Sequence, residues 1–186
     1  MRLETARLVL REFVEDDWRA MHATHSREDL VRFLTIEPMD EAAARAYVQG
    51  TMVSASELPR VEWELAITLR GGDDAMLGRV GMKRDADPRS AMLWFTLDPA
   101  HHGNGYATEA VRALLDHAFD DVKLHRVWGD CDPRNMQSGR VMERAGMRRE
   151  GHLVQNLWIK GEWCDSVLYA VLASEWANVR AAHPGS

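Results

Sequence analysis

The 186-residue sequence predicts an α+β fold, a mixed and mostly antiparallel central sheet with helices on both faces. Three observations lead there. Short apolar runs, some alternating with a period of two, recur between turn signals. Residues 61–97 hold three such runs in succession, the pattern of an antiparallel meander. Strand 91–97, helix 105–119 and strand 124–131 then follow one another, and a helical crossover implies parallel strands.

The elements read as follows. Residues 6–13 (ARLVLREF) are apolar enough for a strand. Val14, Trp18, Met21 and His22 recur at helical spacing, which predicts a helix over 14–25. Ala43, Ala44, Tyr47 and Val48 predict another over 40–55, with Asp40 as N-cap. In 61–69, Val61, Trp63, Leu65 and Ile67 share one face, Glu62 and Glu64 the other. Gly71-Gly72-Asp73-Asp74 is a turn leading to strand 75–83, and Asp87-Pro88 breaks the chain before 91–97. Helix 105–119 buries Ala107, Ala110, Val111, Leu114 and Ala118. After strand 124–131, Asp132-Pro133 reads as N-cap and first helical residue of helix 134–145, which Gly146 ends. Residues 147–158 and 162–171 form a hairpin around Lys160-Gly161. One domain over 1–180 and a loose tail over 181–186 complete the expectation.

Composition narrows the function. A hydrophobic fraction of 46 % supports a real core. No run approaches the roughly 20 apolar residues of a membrane span, and the start lacks an apolar leader, which places the protein in the cytoplasm. The two cysteines, Cys131 and Cys164, fit neither a disulfide framework nor a zinc pattern, and read as small buried hydrophobes. The eight histidines are scattered apart from His101-His102, so no metal site is expected. A net charge of −6 without a basic block disfavours nucleic acid as partner.

Two segments can carry chemistry. His101-His102-Gly103-Asn104-Gly105-Tyr106-Ala107 joins a strand to a helix. A helix start offers N–H groups without intrahelical partners and a partial positive charge, and glycines admit a ligand close to the backbone. An anion such as pyrophosphate fits there. The run is neither Gly-x-Gly-x-x-Gly nor a Walker loop. By itself it is also the simple strand-to-helix connection that many folds contain. About 30 residues on, as in one βαβ unit, comes Asp132-Pro133-Arg134-Asn135-Met136-Gln137-Ser138. Asn135 and Ser138 share one side of their helix. Ser138 there is either a back-bonding residue or one that faces a cleft.

Together the segments resemble the Gcn5-related N-acetyltransferase (GNAT) superfamily. His102-Gly103-Asn104-Gly105-Tyr106-Ala107 is similar to its Gln/Arg-x-x-Gly-x-Gly/Ala pyrophosphate signature, continued by Thr108-Glu109-Ala110. Asn135-x-x-Ser138 with Glu143-Arg144-Ala145-Gly146-Met147 resembles the branch that acetylates ribosomal-protein N-termini, the RimJ/RimL type. The opening Glu4-Thr5-Ala6-Arg7-Leu8-Val9-Leu10-Arg11 and the closing Gly161-Glu162-Trp163-Cys164-Asp165-Ser166-Val167-Leu168-Tyr169 extend the likeness over residues 3 to 172. His102 departs from the usual Gln or Arg, Trp94-Phe95 from a common Gly-Tyr pair, and Met92 from a frequent glutamate.

The resemblance implies a GNAT-like fold and an acyl-CoA-dependent enzyme that moves acetyl from acetyl-CoA to a primary amine by direct attack. The acceptor is a protein N-terminus or a small amine. The alternative is a non-catalytic acyl-CoA sensor or scaffold. The resemblance further implies that strands 91–97 and 124–131 splay around the pantetheine arm. Backbone groups of Phe95, Thr96 and Leu97 would pair with the arm. His102, Gly103, Asn104, Gly105, Tyr106 and Ala107 would hold the pyrophosphate, Asn135 would bond the arm, and Ser138 would protonate the leaving thiolate. A model α-amine has a pKa of about 8 and a lysine about 10.4, so a lysine or polyamine acceptor needs the stronger base. Glu62, Glu64 and Asp132 are candidates by strand position, with Glu64 placed in the catalytic set. For Asp132 the N-cap reading is the stronger one. A homodimer is compatible with this kind of protein, and no sequence feature requires one.

Overall fold

A computed structural model describes residues 1–182. Eight strands form one sheet in the order β1-β2-β3-β4-β5-β6-β8-β7: β1 Arg2–Glu4, β2 Leu8–Arg11, β3 Glu62–Leu69, β4 Gly78–Arg84, β5 Ser90–Leu97, β6 Arg126–Cys131, β7 Arg148–Ile159 and β8 Glu162–Leu172. Every neighbouring pair is antiparallel except β5 and β6. The helix between those two is α4, Tyr106–Asp120, so the expected crossover unit is present.

Each face of the sheet has its own apolar layer. Trp63, Leu65 and Ile67 of β3 and Val127 of β6 join Ala110, Val111, Leu114 and Ala118 of α4 in the larger cluster. Met142 and Ala145 of α5 (Met136–Ala145) and Trp176 of α6 (Ala173–Ala182) complete it. On the opposite face, Phe13 and Ala66 pack with Met21 of α1 (Trp18–His25) and with Ala44 and Val48 of α3 (Glu41–Ser56). A four-residue helix, α2 (Glu28–Val31), links α1 to α3.

Asp40 caps α3 as expected, its carboxylate accepting from the Ala43 N–H at 2.7 Å. Gly146 ends α5 at φ 100°, and its N–H and that of Met147 return to Glu143 and Met142. Three expectations change. The helix placed over 14–25 opens with a single 3₁₀ turn and becomes α-helical only at Trp18. Asp132 is not the cap of α5: its carboxylate accepts the Arg134 N–H at 2.8 Å and bonds the Arg134 guanidinium, forming a local turn. Asn135 caps instead, accepting from the Ser138 N–H at 3.2 Å. The first two residues of the tail expected over 181–186 are helical, because α6 runs through Ala182, and residues 183–186 lie outside the described residues. Strand β1 and helices α2 and α6 carry too little periodic signal for sequence reading.

Gly146 combines a left-handed backbone with tight packing. A Cβ there would lie 2.2 Å from Cγ1 of Val179 on α6. Gly146→Ala is expected to destabilise the protein by about 2 kcal/mol, read as a lower midpoint in urea unfolding.

Candidate active site

The site starts where the sheet comes apart. β5 and β6 pair only at Ser90–Arg126, Ala91–Val127 and Met92–Trp128, and beyond Met92 the two strands have no common register. Across β5, the Asp98 N–H reaches Leu77 and the Asp85 N–H reaches Ser90, which fixes the alternation with β4. Backbone groups of Met92, Trp94 and Thr96 therefore point to β4, and those of Leu93, Phe95 and Leu97 point into the gap. Of the three residues expected to meet the pantetheine arm, Phe95 and Leu97 are so placed. Thr96 is committed to β4 opposite Arg79 and offers only its side chain to the cavity.

That cavity, about 370 Å³, runs along the open edge of β5. Phe95, Leu97, His102, Gly103, Gly105, Tyr106 and Ala107 line it on one side, Asn135, Ser138 and Val141 on another, and Leu30, Val31 and Leu34 close it from above. The sequence-chosen loop and the α5 pair thus meet in one space. Gly105 is the N-cap of α4 at φ 80° and provides no side-chain cap, so the first-turn N–H groups remain available. No heavy atom comes within 4 Å of a Cβ built on Gly103, and on Gly105 only Arg7 does, at 3.4 Å. Asn104 is turned back, its amide donating to the His101 and His102 carbonyls. His102 Nε2 donates to the Leu97 carbonyl at 2.8 Å, so its side chain ties the loop to β5.

The loop is braced from β2. Glu109, in the first turn of α4, is 4 % exposed. It accepts from the Thr5 hydroxyl at 2.6 Å, the Arg7 N–H at 2.9 Å and Arg7 Nε at 2.7 Å. Arg7 Nη1 then donates to the Asn104 carbonyl at 2.9 Å, and its guanidinium lies over the Tyr106 ring. Burial alone would raise the Glu109 pKa, but the bonds from Thr5 and Arg7 outweigh it and hold the carboxyl below its ordinary value.

Glu64 does not reach the cavity. It is 3 % exposed and pairs with Arg79 at 2.5 Å. The Tyr47 hydroxyl donates to both its oxygens at 2.8 Å and Trp94 Nε1 to one at 3.1 Å. Arg79 also points to His25 Nε2 at 3.4 Å. His25 lines the cavity, and burial together with Arg79 pushes its pKa down to about 4. Glu62 pairs with Lys83, and Asp132 with Arg134. All three candidate bases are thus engaged with a cation. Sequence reading missed His25, which lies in a helix without a motif. It also missed the brace, although Thr5, Arg7 and Glu109 all stand in the segments that carry the resemblance. Among the described residues no group of three or more His, Cys, Asp or Glu is arranged to hold a metal ion, and no helix is long and apolar enough to cross a membrane.

A parallel strand pair that opens onto an uncapped helix N-terminus gives the cavity an elongated shape with a locally positive end. Residues 7–148 match the family model of the acetyltransferase (GNAT) domain. The uncharacterised N-acetyltransferase YnaD of Bacillus subtilis is 30 % identical over 176 residues, 95 % of this chain and 99 % of that one. A crystal structure of a GNAT-family acetyltransferase from Bacillus anthracis superposes with a TM-score of 0.86 at 30 % identity, covering 94 % of this chain and 100 % of that one. A spermidine N(1)-acetyltransferase of Vibrio cholerae is 30 % identical over 90 residues, 48 % of this chain and 52 % of that one. The chain belongs to the GNAT acetyltransferase family. It is an enzyme that transfers acetyl from acetyl-CoA to an amine.

Glu109→Gln removes the brace of the loop. The variant is expected to lose about 1–3 kcal/mol of stability at neutral pH. Because the folded-state pKa is lowered, the wild-type advantage is present above 4.5 and disappears as pH falls through the folded value. Urea unfolding of both proteins across that pH range checks it.

Proposed function

We propose that the cavity holds acetyl-CoA with its pyrophosphate on the amides of Gly103 to Ala107 and its arm in the gap between β5 and β6. The observation that carries this reading is the parting of the two parallel strands after Met92 and Trp128. It leaves the N–H and C=O groups of Phe95 and the N–H of Leu97 facing a gap inside a sheet, while the Leu97 carbonyl already accepts from His102, and buried backbone groups need partners. An arm with its own amide groups would complete the ladder. His102 would keep the loop in place by its bond to Leu97. Asn135, whose carbonyl caps α5, would present its amide nitrogen to the arm.

The thioester supplies an activated acyl group. This chain would hold the amine against the thioester carbonyl, and that positioning would supply much of the rate. Ser138 would give its hydroxyl proton to the leaving thiolate. It faces the cavity, and its backbone N–H is fixed by the Asn135 cap, which would hold the side chain in register. Glu64 would act from behind the site: paired with Arg79 and held by Tyr47 and Trp94, it would position those side chains and would not accept the proton of the substrate.

The acceptor is a primary amine, either a small amine or a protein N-terminus. The spermidine-acetylating relative supports the first, and proteins that acetylate ribosomal proteins, also among its relatives, support the second. We take residues 1–180 as one catalytic domain that works in the cytoplasm. Leu153, Val154 and Trp158 on the edge strand β7, with Trp163 beside them, are exposed and support a homodimer.

Calorimetric titration with acetyl-CoA tests the cavity. Gly105→Asp adds a carboxylate and a side chain at φ 80°, and is expected to abolish binding that the wild type shows at micromolar affinity. Ser138→Ala is expected to bind acetyl-CoA normally and to lower kcat by about 100-fold, measured as release of free thiol with an amine acceptor. Unchanged binding in the glycine variant would remove the loop from the site.

A further inference from the structure

The mechanism above leaves the proton of the acceptor unassigned. A primary alkylamine is an ammonium at neutral pH and cannot attack until it loses a proton. The three carboxylates suggested by the sequence are each paired with Lys83, Arg79 or Arg134. A fourth carboxylate on the same side of the sheet has no such cation.

Asp130 lies on β6, two residues past the last residue that pairs with β5. Its face is settled by alternation: Val127 and Gly129 turn toward Leu93, Met142 and the α4–α5 layer, so Trp128 and Asp130 turn to the other side. That is the side of Glu64, Arg79 and Trp94. Of the helices there, α3 packs on β3 and α1 packs on α3, whereas α5 packs on β6 and β8 from the opposite side. The gap between β5 and β6 therefore has Ser138 of α5 on one side of the sheet and Asp130 on the other. Trp94 and Trp128 stand on the same side as Asp130. Both are partly buried, with their indole N–H groups committed to Glu64 and Asp85. Asp130 is partly buried against Ser166 of β8, whose hydroxyl bonds Asn156. Among the described residues it forms no ion pair with an Arg, Lys or His. Burial raises its pKa above the ordinary carboxylate value, against the smaller effect of Ser166.

We propose that Asp130 binds the ammonium of a cationic primary alkylamine on the α1–α3 side of the sheet and takes its proton. The inference rests on the placement of acetyl-CoA in the β5–β6 gap proposed above. The Asp130 carboxylate accepts one proton from R–NH₃⁺ and becomes a carboxylic acid. The freed nitrogen lone pair forms a C–N bond at the thioester carbonyl as the C–S bond breaks. The thiolate takes a proton through Ser138, and the second N–H proton restores the serine. Asp130 then releases its proton to water. Amine enters on one side of the sheet and thiol leaves on the other. Trp94 and Trp128, at the positions where the resemblance departs or says nothing, flank the entering cation.

The test compares wild type with Asp130→Asn, which keeps the shape and removes the charge. Spermidine, 1,5-diaminopentane and an alanine-initiated peptide are screened, and the best acceptor is set against hydroxylamine, which is already unprotonated at neutral pH. Asp130→Asn is expected to bind acetyl-CoA as the wild type does and to lose about 100-fold or more in kcat/KM with the alkylamine. With hydroxylamine the loss is expected to be small. The acid limb set by Asp130 should give way in the variant to a rate that climbs with pH toward the amine pKa of about 10. The titratable groups on the surrounding elements are Cys131, Asp132 and Arg134 beside it, Asp85 beyond Trp128, Glu143 of α5, and the His152–Asp165 pair of the hairpin; β5 contributes none. Equal losses with both nucleophiles would make Asp130 structural, and full activity with the alkylamine would make it a bystander; either overturns the inference. Wild-type binding of acetyl-CoA without turnover of any amine would overturn it too, whereas no acetyl-CoA binding would overturn the placement on which it rests.

Discussion

An interior strand that loses its neighbour is the constraint on which this site depends. β5 pairs fully with β4 and with β6 only as far as Met92. From Leu93 onward one edge of a strand inside the sheet lacks a ladder. Such an edge at the rim of a sheet would be solvated or blunted. Here it borders a cavity between α2, α4 and α5. The groups of that edge not already bonded, the N–H and C=O of Phe95 and the N–H of Leu97, need partners with the spacing of a strand, and a ligand arm that carries amide groups would meet that need. The rest of the site is arranged about this edge. The loop after β5 turns into an uncapped helix, α5 brings Ser138 to the far wall, and Arg7 ties Glu109 to the Asn104 carbonyl of the loop.

Electrostatics follow the same division. A chain with a net charge of −6 cannot attract an anionic ligand by bulk charge. The helix N-terminus supplies a local positive end, and Glu109 in its first turn is paired with Arg7 and accepts from the Thr5 hydroxyl. On the other side of the sheet the carboxylates are treated differently from one another. Glu64 is buried under a cation and two aromatic donors, Asp132 is spent on a turn, and Asp130 is partly buried without a cationic partner among the described residues. Carboxylates thus meet three different surroundings on one side of the sheet.

Much of the fold was legible because it depends on period and punctuation. The meander, the crossover around α4 and the Gly146 stop follow from alternation, helical spacing and glycine position. The meeting of the 102–107 loop with Asn135 and Ser138 was legible through the joint pattern of two segments that the crossover brings together. Other features depend on contacts distant in the chain. The engagement of Glu64 is decided by Arg79, fifteen residues away on the neighbouring strand. The division of labour between Phe95 and Thr96 depends on register with β4, which a single strand does not encode. Asp132 and Asn135 are both good caps, and only the bond between Asp132 and Arg134 decides which of them serves.

Amide hydrogen exchange at residue resolution along β5 tests the central claim most directly. Without ligand, the Phe95 and Leu97 amides should exchange quickly, while that of Thr96, bonded into β4, is protected. Coenzyme A should slow Phe95 and Leu97 strongly and leave Thr96 as it was. Exchange that is unchanged at Phe95 and Leu97 under saturating coenzyme A would contradict the account, because the ligand would then lie outside the gap.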